Sequence, residues 1–189
     1  MNNPVIRAII LVGAASTGKS SFTRDLWRGF GQVDVDVCSA DSFPGLYTGP
    51  KGYEIEAAAR AGIILDPPVL NWALLGKAHA QSVRDWIETI RELTTAPMGT
   101  MIDTFVVCDN TNTSLSEISP YIMTARAYGI EPEVVVMDDD LTVPAAALAA
   151  RNGHGCPAEG IQAQRERIVA MLEAWPPFYP VPIRAKDFC

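Results

Sequence analysis

At 189 residues the chain has the length of one domain able to bury a real core without disulfides or a structural metal. A hydrophobic fraction of 48% is that of a compact globular protein, and a formal net charge of −7 argues against broad affinity for duplex DNA, which draws on many lysines and arginines. The charge leaves open a nucleotide or a nucleic acid end held by a few local arginines.

No run approaches the roughly 18 apolar residues of a membrane span. The opening stretch MNNPVIRAIILVG is too short for a secretory signal and leads straight into a phosphate-binding motif. A cytoplasmic protein without a membrane partner is expected, its oligomeric state open. Cys38, Cys108, Cys156 and Cys189 form no C-x-x-C pair, so neither a disulfide framework nor a zinc site is expected.

Residues 8–12 (AIILV) read as a strand buried on both faces. A glycine-rich loop follows, then a helix over 20–30 and an alternating strand over 33–38 (VDVDVC). Residues 42–66, rich in Gly and Pro, hold a short helix at 54–61. The spacing of Leu70, Leu74, Leu75, Ala78, Ser82, Trp86 and Ile90 predicts a long helix over 68–93, with Asp66 as its cap. Strands at 104–108 and 133–137 alternate with helices at 117–128, 142–150 and 159–174, and the proline-rich end (WPPFYPVP) packs as an extended tail. This order implies one α/β domain over 1–189: a three-layer sandwich with a central, mainly parallel sheet, helices on both faces and a lid loop at about 151–157. Right-handed crossovers put the strand C-terminal ends on one rim, where ligands bind.

GAASTGKS, running from Gly13 through Ala14, Ala15, Ser16, Thr17, Gly18 and Lys19 to Ser20, matches G-x-x-x-x-G-K-[ST] between a buried strand and a helix. Such a loop turns its N–H groups onto phosphates, the lysine reaches the β- and γ-phosphates, and the Ser20 hydroxyl meets magnesium. The nucleotide is expected to touch Ser21 as well. With no N-K-x-D stretch to read guanine, ATP with Mg2+ is the expected pair. Asp109, ending the strand FVVC, is a second magnesium candidate, or a turn residue of DNTNTS. Asp41, beyond the second strand, suits a general base on an acceptor hydroxyl, or caps a turn with Ser42. Arg151 in the lid ARNGHGCP suits charge developing on a transferring phosphate. His154 and Asn112 are substrate candidates or loop fasteners; His79, on an apolar helix face, is a substrate candidate or a satisfied core residue. Arg165 and Arg167 read as a solvated face with Glu166.

Together GAASTGKS, CSADSF, DPPVLNWALLGKAH, VVCDNTNTSLSEISPY and ARNGHGCP, in this order over nearly the whole chain, resemble the polynucleotide-kinase-like branch of P-loop kinases. That group includes phage 5′-hydroxyl polynucleotide kinases and small AAA-type ATP-binding kinases. The resemblance implies an ATP-dependent kinase in which Lys19 and Ser20 serve triphosphate and metal. It also makes Asp41 the base, gives Asp109 an organising role, and makes Arg151 the lid arginine. A hydroxyl of a nucleic acid end or nucleotide is the implied acceptor. The chain departs from the pattern at Pro44, where those kinases carry a substrate-phosphate arginine, and at His154, where their lids bring a second arginine. The departures keep open a hydroxymethylated DNA base or a small-molecule hydroxyl as acceptor. A nucleotide-binding regulatory module is the reading without catalysis.

Overall fold

The computed structural model describes residues 5–29, 33–50, 54, 57–58, 60–66, 68–97, 102–137 and 142–188. Its central sheet has five parallel strands in the order β2 (Asp34–Cys38), β5 (Thr104–Cys108), β1 (Ile6–Val12), β6 (Glu133–Val136) and β7 (Ile183–Arg184). Because side chains alternate across a strand, β1 serves two cores. Ala8, Ile10 and Val12 face a cluster built from α2 (Trp72–Thr95), α3 (Leu115–Ala127), α4 (Ala145–Ala150) and α5 (Ala158–Glu173). Ile9 and Leu11 face α1 (Lys19–Gly29), chiefly Leu26 and Phe22. Residues 8–12 are all fully buried, which explains why they read as an unbroken apolar run.

The expected architecture is present, with four differences. The long helix starts at Trp72 rather than at residue 68, and Asn71, not Asp66, caps it by accepting from the Ala73 amide at 3.2 Å. The residues before it form β4 (Val69–Leu70), paired antiparallel with β3 (Tyr47–Thr48). Leu46, Ala40 and Ala78 form a small third core under this hairpin, joined by Phe43, Leu70, Leu74 and Leu75. Helix α4 starts at Ala145 because Pro144 stands at its N-cap. The proline-rich stretch is not extended throughout: it turns at residues 176–179, where the Tyr179 amide donates to Pro176 O at 3.0 Å and the Trp175 indole to Pro180 O at 3.0 Å, and the chain then returns as β7.

Of the short helix at 54–61, Glu54, Ala57, Ala58 and Arg60 are helical; residues 55, 56 and 59, and the expected end of α1 at residue 30, lie outside the described residues. Among the described residues no helix is long and apolar enough to cross a membrane.

Candidate active site

The loop after β1 is shaped by close approaches. A Cβ on Gly13 would stand 2.7 Å from Thr17 Oγ1 and 3.0 Å from Met137 Cβ, so only glycine fits there without displacement. Its amide donates to Thr111 O at 3.0 Å, fastening the loop to the segment after β5. Ser16 and Gly18 take positive φ values of 64° and 96°. Among the described residues, the amides of Ser16, Thr17 and Gly18 meet no protein acceptor, as in a backbone nest for an anion. Lys19 Nζ donates to Gly13 O and Ala14 O, both at 2.9 Å, which holds the ammonium against the loop. Ser21 is exposed on the first turn of α1.

Two strand ends meet this loop. Ser20 Oγ donates to Asp109 Oδ2 at 2.9 Å. Burial lifts the Asp109 carboxyl above the usual range, while Lys19 and the Ser20 hydrogen bond pull it down, Asp41 raises it further and His154 lowers it. The Asp109 amide donates to Cys38 O at 3.1 Å, which seats the end of β5 beside the end of β2. The turn bearing Asp41 is zipped to the end of β5: Ser39 Oγ donates to Asp109 O at 2.9 Å, and the Ala40 amide donates to Asn110 Oδ1 at 2.8 Å. The Asn110 amide group reaches Ser82 Oγ at 3.0 Å and Tyr121 Oη at 3.1 Å, anchoring the rim in α2 and α3.

Asp41 itself is half exposed. Tyr47 Oη donates to its Oδ1 at 2.9 Å, and His154 Nε2 lies 3.7 Å from its Oδ2. Burial, then the neighbouring Asp41 charge, push the Tyr47 hydroxyl up, so it stays protonated and donates. The lid rests on the phosphate loop: Arg151 Nη2 donates to Ser16 O at 3.0 Å and Asn152 Nδ2 to Ser16 Oγ at 2.9 Å. From α5, Gln164 Oε1 accepts from the Ala15 amide at 2.8 Å. An open groove of about 330 Å3 runs from Ser20 and Asp109 down between α1 and β2, past Arg24, Trp27, Val35 and Val37.

Several expected residues take other roles. Asn112 is buried at φ 51° and spends its amide hydrogens on Leu11 O at 2.7 Å and Cys108 Sγ at 3.4 Å, so it fastens the sheet and offers a substrate no donor. His79 is half-buried on α2, and no described hydrogen bond ties it to the site. Arg165 is buried among the apolar residues of α5 rather than solvated, whereas Arg167 is exposed and reaches Thr113 Oγ1 at 3.2 Å. Cys38 and Cys108 are buried, which pushes both thiols up to about 12 and leaves them inert. Tyr47, Asn152 in its bridging role and Gln164 were not indicated by any motif.

The residues present fit a nucleoside triphosphate with magnesium. A hydroxyl and one carboxylate 2.9 Å apart are hard oxygen donors. No cluster of three His, Cys, Asp or Glu suited to a metal occurs among the described residues.

A family model described as "AAA domain" matches residues 9–177. No curated protein matches the chain. Solved structures similar to it include a gluconokinase from Sinorhizobium meliloti 1021, at 16% identity, covering 95% of this chain and 82% of that one with a TM-score of 0.48. Another is an APS kinase from Mycobacterium tuberculosis, at 12% identity, covering 71% of this chain and 76% of that one with a TM-score of 0.37.

Proposed function

The chain belongs to this AAA domain family, and from that premise we propose that it is an ATP-dependent phosphotransferase that passes the γ-phosphate to a hydroxyl, with Asp41 as general base. The observation that carries the reading is that Ser20, next to Lys19, bonds Asp109 directly while the turn bearing Asp41 is fastened to the same strand end. The free amides of Ser16, Thr17 and Gly18 hold the phosphate oxygens, and Lys19 swings from its loop carbonyls onto the β- and γ-phosphates. Magnesium, when bound, would supply neutralisation of the charge that spreads over the transferring oxygens. Ser20 and Asp109 orient that ion. Asp41 accepts the acceptor's proton as the acceptor oxygen bonds to phosphorus and the γ-phosphate leaves ADP. Arg151 holds Ser16 O through Nη2, and among the described residues its other N–H donors are left for the developing charge. On this reading the protein works in the cytoplasm, where ATP and magnesium are.

The acceptor follows from what surrounds Asp41. The resemblance to polynucleotide kinases makes a nucleic acid end or nucleotide the first acceptor to test. A second reading, a hydroxymethylated DNA base or a small-molecule hydroxyl, is favoured by the surroundings themselves. Among the described residues no lysine or arginine pairs with Asp41, whose partners are Tyr47 and His154, and Pro44 stands where a phosphate-holding arginine would.

Labelled γ-phosphate transfer from Mg·ATP to 5′-hydroxyl oligonucleotides, hydroxymethylated DNA, nucleosides and polyols separates these acceptors. Asp41→Asn is expected to lower transfer by roughly 10²–10⁴-fold. Full activity in that variant removes Asp41 from its role. ATP binding with transfer to none of the acceptors leaves the regulatory module.

A further inference from the structure

Asn152 uses both ends of its side chain. Its Nδ2 donates to Ser16 Oγ on the phosphate loop at 2.9 Å, and its Oδ1 accepts from the His154 amide at 2.8 Å and the Cys156 amide at 3.0 Å. An amide oxygen has two lone pairs, and both are used. The side chain that grips the donor loop therefore also sets the main chain of His154.

His154 in turn reaches the acceptor side. Its ring lies 4.7 Å from that of Tyr47, tilted by 36°, and its Nε2 faces Asp41 Oδ2 at 3.7 Å. Tyr47 holds the other carboxylate oxygen at 2.9 Å. Tyr47 is itself fixed by the β3–β4 pairing with Leu70. We propose that Asn152, His154 and Tyr47 are positioning residues that complete the Asp41 base only while the lid grips Ser16, so that the hydroxyl-activating carboxylate is aligned when the donor loop is engaged. The inference rests on the role given above to Asp41.

Three features support the linkage. Ser16, the residue the lid grips, stands at φ 64°, a conformation a non-glycine residue keeps only when its surroundings hold it. Arg151 and Asn152 supply two such contacts from the lid. The lid that brings His154 to Asp41 and Tyr47 lies far along the chain from both, whereas Tyr47 follows Asp41 closely. No local preference would bring the His154 ring to that pair.

The chain has only two histidines, so ring NMR signals of His154 are assigned at once by His79→Gln, and His79 serves as an internal control. In the full-length protein, Asp41→Asn and Asn152→Ala are each expected to shift the His154 ring signals while those of His79 stay in place. Unmoved His154 signals in either variant would overturn the proposal. Should Asn152→Ala disturb His79 as well, Ser16→Ala decides: it keeps the Asn152 acceptor for His154 and Cys156 and removes the hydroxyl that Asn152 Nδ2 grips. Addition of a non-hydrolysable ATP analogue with magnesium is then expected to shift His154 in the wild type and not in Ser16→Ala. An equal response in both sinks the linkage. No response to the analogue even in the wild type, with the Asp41→Asn shift intact, would instead count against the nucleotide reading, so the two failures are distinct.

Discussion

Asp109 lies between opposing influences: burial raises its carboxyl, and the Lys19 charge and the Ser20 hydroxyl lower it without cancelling the rise. Its folded value therefore lies above its unfolded one. Between the two, the folded protein binds more protons than the unfolded chain, so stability falls as pH rises through that window and stays lower above it. Asp109→Asn keeps an oxygen for Ser20 and removes the buried charge. The expected outcome is a higher melting temperature at neutral pH, a difference that vanishes in acid below the ordinary carboxylate range, and roughly hundredfold slower transfer. A lower melting temperature at neutral pH would show that the carboxylate is stabilised as it stands. A site residue that destabilises its own fold is the pattern expected where charge is kept for chemistry.

At the scale of elements, the rim is assembled by a side chain that touches no substrate. Asn110 joins the Asp41 turn to β5 through the Ala40 amide and joins both to α2 and α3 through Ser82 and Tyr121, all of them buried or nearly so. Asn110→Ala leaves the buried Ala40 amide without its acceptor and cuts the tie to α2 and α3, where Tyr121 Oη still donates to Ser82 Oγ at 3.1 Å. The expected cost is about 2–4 kcal/mol, read from urea unfolding, with a fall in kcat as Asp41 loses its register. Unchanged stability would mean that water or a shifted turn replaces the amide. The positions of Lys19 and Ser20 were legible from the glycine-rich motif after β1, and those of Asp41 and Asp109 from their places just beyond the ends of β2 and β5. The role of Tyr47 was not, because it depends on pairing with Leu70 across the Gly- and Pro-rich segment. The same pairing explains the late start of α2: Val69 and Leu70 satisfy a helical pattern as well as a strand, and only the partner strand decides between them.

For the molecule as a whole, the two faces of the sheet are closed by different means. One is covered by four helices; the other has α1 and the returning tail. There the Phe188 ring meets Phe22 edge-on at 5.2 Å and lies 4.8 Å from the Arg7 guanidinium, which also sits 5.2 Å from Phe105. Arg7 in turn binds Glu133 on the adjacent strand through two hydrogen bonds of 2.7 and 2.8 Å. Proline-rich composition excluded a regular element over this stretch but foretold neither its turn at residues 176–179 nor this return, since a two-residue strand carries no periodicity to read. Removing residues 183–189 would bare the edge of β6 and the Phe22 side of α1, the helix that opens with Lys19 and Ser20. Loss of that burial is expected to cost about 2–4 kcal/mol, lowering the melting temperature by roughly 5–15 °C and promoting association through the freed strand edge. Phe188→Ala, which keeps β7, should show a smaller drop and stay monodisperse wherever the wild type does. A truncated chain that melts with the wild type would show that α1 and the sheet hold the phosphate loop without the tail.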